Sequence, residues 1–166
     1  MDGYRIKAYA KINLGLDVVR RLPNGYHEVR MVMLTLERAE GVITITTDAD
    51  SLPTGEDNLI HKAARLMLDK YGCPGLRVHL RKNIPIAAGM AGGSTDAAAV
   101  MKGISHLYGL GLSPAQLMED GVAIGADGPY CILGGTALAE GIGEKLTPLP
   151  PLPFCHILIA KPAVSV

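Results

Sequence analysis

The chain has 166 residues, enough for one domain with a real core, and carries Lys plus Arg 16 against Asp plus Glu 16. A hydrophobic share of 48% and a mean hydropathy of +0.23 exclude a disordered chain. Zero formal net charge implies no nucleic-acid surface, so any anion site must be local, built from a loop and a few side chains.

Cys73, Cys131 and Cys155 are odd in number, lack metal-type spacing and read as free thiols. His61, His79, His106 and His156 form no ligand cluster in the sequence, so no protein-held metal is expected. The stretch Met1 to Lys7 has neither the apolar core of a secretion signal nor the Arg- and Ser-rich character of a transit peptide. No apolar run reaches membrane-spanning length, and a cytoplasmic protein with no membrane partner is expected.

Alternation over Tyr4 to Val19 predicts two short strands or one bent strand. Leu22-Pro23-Asn24-Gly25 is a turn, Asn-Gly being the strongest short hairpin signal. Val29 to Glu37 is apolar on both sides of the alternation and reads as a well-covered strand; Gly41 to Thr47 follows as another. After a polar loop over 48–55, Asp57 can cap a helix running to Tyr71, with Leu59, Ala63, Leu66 and Met67 on one face and Gly72 as its stop. Leu76 to Lys82 is a strand, and Asp96 to Leu107 a helix whose apolar face carries Ala97, Val100, Met101, Ile104 and Leu107. Ser113-Pro114-Ala115-Gln116 is a capping box opening a helix to Ile124. Thr136 to Glu140, Glu144 to Thr147 and Cys155 to Ala160 read as strands, with a stiff Pro-rich loop at 148–153. Strands and helices mix without a regular βαβ alternation, which makes the class α+β.

Between the strand ending at Lys82 and the helix from Asp96 lies Ile84-Pro85-Ile86-Ala87-Ala88-Gly89-Met90-Ala91-Gly92-Gly93-Ser94-Thr95. Glycines let a backbone approach a ligand closely. The first turn of a helix offers unpaired N–H groups and the positive end of its dipole. Together they suit a phosphate, with Ser94 and Thr95 able to add hydroxyl contacts or help hold a magnesium ion. Neither G-x-x-x-x-G-K-[ST] nor a clean G-x-G-x-x-G is present. A glycine-rich turn that only lets a helix pack tightly is the other reading.

Pro85 to Ala99 resembles the central motif of the GHMP kinases, the superfamily of galactokinase, homoserine, mevalonate and phosphomevalonate kinases. Ala10-Lys11-Ile12-Asn13-Leu14-Gly15-Leu16, Asn24-Gly25-Tyr26-His27-Glu28 and Ile124-Gly125-Ala126-Asp127-Gly128-Pro129-Tyr130 extend the resemblance over nearly the whole chain. They narrow it to the branch acting on 4-diphosphocytidyl-2-C-methyl-D-erythritol. The resemblance implies the ribosomal protein S5 domain 2-like fold of the GHMP amino-terminal domain over 1–166, with a carboxy-terminal domain absent. It also implies ATP and Mg2+ as cofactors, the magnesium arriving with ATP, and a cytidine diphosphate-linked methylerythritol as substrate.

By the same resemblance, Pro85, Ala87, Ala88, Gly89, Met90, Ala91, Gly92, Gly93, Ser94 and Thr95 hold the triphosphate, with Asn58 and Lys82 on the adenine side. Asp127 becomes the catalytic carboxylate and Lys11 its partner, polarising the acceptor hydroxyl. Tyr26 and His27 become the cytosine-recognition pair, and Asn13 a contact to the diphosphate or erythritol end. Read without the family, Asp127 is a turn aspartate bonding its own backbone, Lys11 a solvated edge lysine, and Tyr26 and His27 half-buried strand residues. Gly128 stands where the family usually has Val, which leaves the carboxylate in place but is expected to loosen the bend. Within the superfamily a homoserine- or mevalonate-type kinase is the alternative; outside catalysis, a nucleotide-binding module without turnover.

Overall fold

The computed structural model describes residues 3–14 and 32–160. Its elements in chain order are β1 (Tyr4–Ala8), β2 (Val32–Arg38), β3 (Ile43–Thr47), α1 (Leu59–Tyr71), β4 (Leu76–Arg81), α2 (Gly92–Leu107), α3 (Pro114–Val122), α4 (Gly128–Leu133), β5 (Thr136–Glu140) and β6 (Lys145–Leu149).

Four strands form one mixed sheet in the order β1-β2-β4-β3. The β1–β2 and β2–β4 pairs are antiparallel, whereas β3 and β4 run parallel and are joined through α1, as a parallel pair requires. Register places Leu34 opposite Leu80, and Leu36 and Ile45 each opposite Val78, so one face of the sheet is a buried aliphatic layer. On the other face Arg77, His79 and Arg81 are exposed. The reading of the second strand as well covered therefore holds on one face only: Leu34 and Leu36 are enclosed, while Thr35 and Glu37 are half-buried.

α1 and α2 lie on the apolar face. α1 is capped by Asn58, not by Asp57, and ends at Gly72 with φ +66°. Its buried residues are Ile60, Ala63, Ala64, Met67 and Leu68, a face rotated from the expected one because Leu59 and Leu66 are only half-buried. Contact between α2 and β2 depends on Gly103, where an added Cβ would lie 2.6 Å from a Leu36 methyl carbon. The capping box of α3 is present, Ser113 and Gln116 bonding reciprocally, but the helix ends at Val122, two residues early.

Three further expectations do not hold. The first strand stops at Ala8, and residues 9–14 run as irregular chain; the rest of that reading, with the Leu22–Gly25 turn, lies outside the described residues. α2 begins at Gly92, so Gly92 to Thr95 form its first turn instead of the loop before it. Among the described residues, 155–160 join neither sheet and are mostly exposed, so the strand expected there does not form. β5 and β6 form a separate two-stranded ribbon, its Pro148 tolerated as in an edge strand.

Candidate active site

The segment 83–91 joins β4 to α2 and is anchored at its ends by Ile84 and Met90, both buried. Between them Pro85, Ile86, Ala87 and Gly89 are exposed. Ala87, Gly89 and Ala91 have φ of +51°, +65° and +50°. Left-handed alanines cost of order 1–3 kcal/mol each and persist only where the surroundings impose them. Here they turn the chain so that it enters α2 with Ala91 as the cap residue, which provides no side-chain cap. The N–H groups of the first turn are left without intrahelical acceptors, while Thr95 N bonds Ala91 O at 2.9 Å. Exposed Gly93 leaves this end of the dipole open, and an anion is the ligand that fits.

The hydroxyls expected beside the phosphate divide. Thr95 is buried and its Oγ1 donates to Tyr9 O at 2.6 Å, tying the chain after β1 to the helix. Ser94, half-buried, stays in the first turn. A second tie runs from Lys11 N to Met90 O at 3.0 Å. The missing side chain of Gly92 faces inward, where a Cβ would lie 3.1 Å from Lys82 Nζ and 3.2 Å from Ile84 Cγ2.

Lys11 reaches 116 positions along the chain to Asp127, its ammonium donating to Asp127 Oδ1. The side chains are 14% and 40% exposed, so the lysine is sheltered and the carboxylate faces solvent. Asp127 occupies the cap position of α4 but makes no side-chain bond to its own helix. The turn-aspartate reading thus gives way to a long-range pair. Gly128 does not loosen the bend: an added Cβ would lie 2.3 Å from Gly121 O, so the absence of a side chain lets α4 press against α3 and fixes where Asp127 sits.

A cleft of about 380 Å³ opens beside the pair, with Lys7, Lys11, Thr95, Lys102, Tyr130 and Cys131 in its wall. Burial pushes the Lys102 ammonium down, and its Nζ donates to Cys131 O at 3.2 Å. The same burial pushes the Cys131 thiol and the Tyr130 phenol up, and the Tyr130 hydroxyl donates to Gly135 O at 2.6 Å.

The remaining expected residues are spread more widely. Asn58 is buried and committed on both sides, Oδ1 accepting from Ile60 N at 2.8 Å and Nδ2 donating to Pro53 O at 2.6 Å. Lys82 donates to Asp96 Oδ2 at 2.5 Å, with side-chain exposures of 5% and 3%. Asn13 is exposed on the irregular chain after Lys11. Tyr26 and His27 lie outside the described residues. Sequence reasoning passed over Asp96 and Lys102. The signal for both was a lone charge on an otherwise small and apolar helix, which needs a partner when buried.

Residues 58–135 match the model of the GHMP kinases N terminal domain. A 4-diphosphocytidyl-2-C-methyl-D-erythritol kinase from Lachnospira eligens is 54% identical, aligned over 100% of this chain and 61% of its own length. One of the same name from Caldicellulosiruptor bescii is 49% identical over 98% of this chain and 60% of its own. The chain thus spans about three fifths of the length of the curated relatives it matches. A solved 4-(cytidine 5'-diphospho)-2C-methyl-D-erythritol kinase superposes with TM-score 0.67 at 32% identity, covering 88% of this chain and 55% of that one. The Methanococcus jannaschii mevalonate kinase gives the same TM-score at 12% identity over 90% of this chain and 56% of its own, a likeness of fold. Residues 58–135 thus match the GHMP kinase N-terminal domain, and the α+β sheet has the fold of solved kinases of that family, which this chain resembles over nearly its whole length.

Proposed function

We propose that the chain is the ATP- and substrate-binding domain of a kinase that phosphorylates the 2-hydroxyl of 4-diphosphocytidyl-2-C-methyl-D-erythritol, a cytoplasmic step of non-mevalonate isoprenoid biosynthesis. Lys11 carries the reading. Its side chain bonds Asp127, and its backbone bonds the anion loop at Met90, so one residue links the proton-accepting group to the phosphate cradle. Two relatives with 54% and 49% identity bear that kinase's name, which supports the choice of substrate.

Phosphoryl transfer to an alcohol needs positioning and charge stabilisation more than covalent chemistry. The N–H groups at the start of α2 would hold the nucleotide's phosphates. The Lys11 ammonium would polarise the acceptor hydroxyl, and the exposed Asp127 carboxylate would orient that hydroxyl and take its proton. Magnesium bound with ATP would neutralise phosphate charge, with Ser94 in the first turn as the hydroxyl of this chain within the cradle. Asn13, Tyr26 and His27 are assigned to the cytidylyl substrate, and Asn58 and Lys82 to the frame on the adenine side, where both side chains are already bonded within the protein.

The rest of the relatives' length is read as a second domain closing the cleft. Phe154 at 92%, Leu158 at 78% and Ile142 at 72% exposure are apolar side chains that such a domain would cover. An unclosed cleft loses positioning and water exclusion, so the chain alone is expected to bind nucleotide weakly and turn over little. The test is ADP release measured with 4-diphosphocytidyl-2-C-methyl-D-erythritol, homoserine or mevalonate as acceptor, on this chain and on a two-domain form. Stimulation by the cytidylyl alcohol alone, strong only in the two-domain form, is expected. Stimulation by homoserine or mevalonate would move the chain to another branch, and none by any acceptor would make it a binding module.

A further inference from the structure

Among the described ion pairs, only Lys82–Asp96 has both side chains at or below 5% exposure. Its place in the chain is distinctive. Lys82 is the residue after β4, where segment 83–91 departs, and Asp96 lies in α2 just after that segment enters the helix. The ammonium sits beneath the first helical residue, 3.1 Å from where a Gly92 Cβ would be. The backbone N of Lys82 donates to Asp48 Oδ1 at 2.8 Å, fixing the strand end from a third element. Among the described residues no donor reaches Asp96 Oδ1.

A pair kept only for stability is poorly served by this arrangement. Desolvation of two enclosed charges offsets most of their attraction, an apolar pair of similar volume often does as well or better, and an orphaned carboxylate oxygen adds a further cost. What the pair does supply is a fixed separation between the two ends of the loop. Across that span lie Ala87, Gly89 and Ala91, whose left-handed conformations require an external constraint.

We infer that Lys82 and Asp96 are positioning residues: they pin together the two ends of the loop and hold Ala87 and Ala91 left-handed, so that the first-turn N–H groups of α2 are aimed at the nucleotide phosphates. The aiming part rests on the function proposed above; the pinning does not. On this account Lys82 acts through the loop, with its ammonium bound to Asp96 instead of the adenine.

The test replaces both residues at once, Lys82→Met with Asp96→Leu, in the 166-residue chain. The pair of substitutions keeps volume and removes both charges, so melting at or above the parent temperature is expected. The Cα and Cβ resonances of Ala87 and Ala91 should nevertheless leave left-handed values in the ligand-free protein, and the ATP dissociation constant should rise about tenfold, the scale of one lost charged contact. A folded double variant whose alanines stay left-handed would overturn the pinning. Should that variant fail to fold, Asp96→Asn, which keeps shape and removes charge, decides by the same resonances. If ATP does not bind the unaltered chain, the nucleotide reading fails, while the ligand-free resonances still decide the clamp. Altered alanines with unchanged ATP affinity would uphold the pinning and overturn the aiming.

Discussion

Two lysine–aspartate pairs are tied to the same loop, and they differ in what surrounds them. Lys11–Asp127 spans 116 positions, with Asp127 40% exposed, and Lys82–Asp96 spans 14, with Asp96 3% exposed. The first leaves its carboxylate open to solvent, where the proposed acceptor hydroxyl would bind. The second meets no solvent, and burial raises Asp96 to about 6 despite the opposing Lys82 charge. The same two residue types thus form an open pair, to which we assign the proton transfer, and a closed one, to which we assign the frame. Exposure, not residue identity, separates the roles.

The sharpest way to break this comparison is Asp127→Asn. An amide cannot accept the proton or carry the charge that pairs with Lys11, so turnover of a two-domain form should fall at least ~10²-fold while ATP still binds. Single-turnover kinetics and nucleotide titration check both halves, and near-normal turnover would remove Asp127 from the mechanism.

The closed pair is separated from the open one by pH. Because folding raises the Asp96 carboxyl above its ordinary 3.8, its contribution to stability is fully present below that value and lost as pH rises through about 6. The shift corresponds to roughly 3 kcal/mol. Relative to Asp96→Asn, the parent chain should lose stability between pH 4 and pH 7, as read by urea midpoints, with the Asp96 carboxyl carbon titrating near 6. A carboxyl already ionised at pH 4 would mean that the Lys82 charge outweighs burial, and this loss of stability with pH would then be absent.

Gly128→Val disturbs only the open pair. A side chain 2.3 Å from Gly121 O must push α4 from α3, at a cost of about 1–3 kcal/mol. Unfolding free energy should fall by that amount, and Asp127 should move relative to Lys11, while Ala87 and Ala91 keep their left-handed resonances. Unchanged melting would mean that Gly128 serves no close contact.

The sequence showed local features well and distant ones poorly. The capping box at Ser113, the stop at Gly72 and the alternation of β4 are written in adjacent residues and stand in the structure. Gly92 and Gly93 are weak helix formers, so propensity put the start of α2 too late; packing against Ile84 and Lys82 settles it at Gly92. α4 was missed because 6 residues give little periodicity, although Asp127 before Gly128-Pro129 is a helix-start signal. On residues alone Lys11 and Asp127 each had an ordinary reading, and no local pattern can join positions 116 apart. The family motif supplied that link, and the geometry then gave it a physical form.

The central claim is that nucleotide phosphate lies on the loop and the first turn of α2, with the Lys11–Asp127 pair facing the acceptor. It is tested most directly by titrating the 166-residue chain with ATP and following backbone amide resonances. Ala87 to Ser94 should shift together with one dissociation constant, which Asp127→Asn leaves within about twofold, the size of a spared contact. Shifts centred instead on Lys102, Tyr130 and Gly135, with the loop amides still, would contradict it.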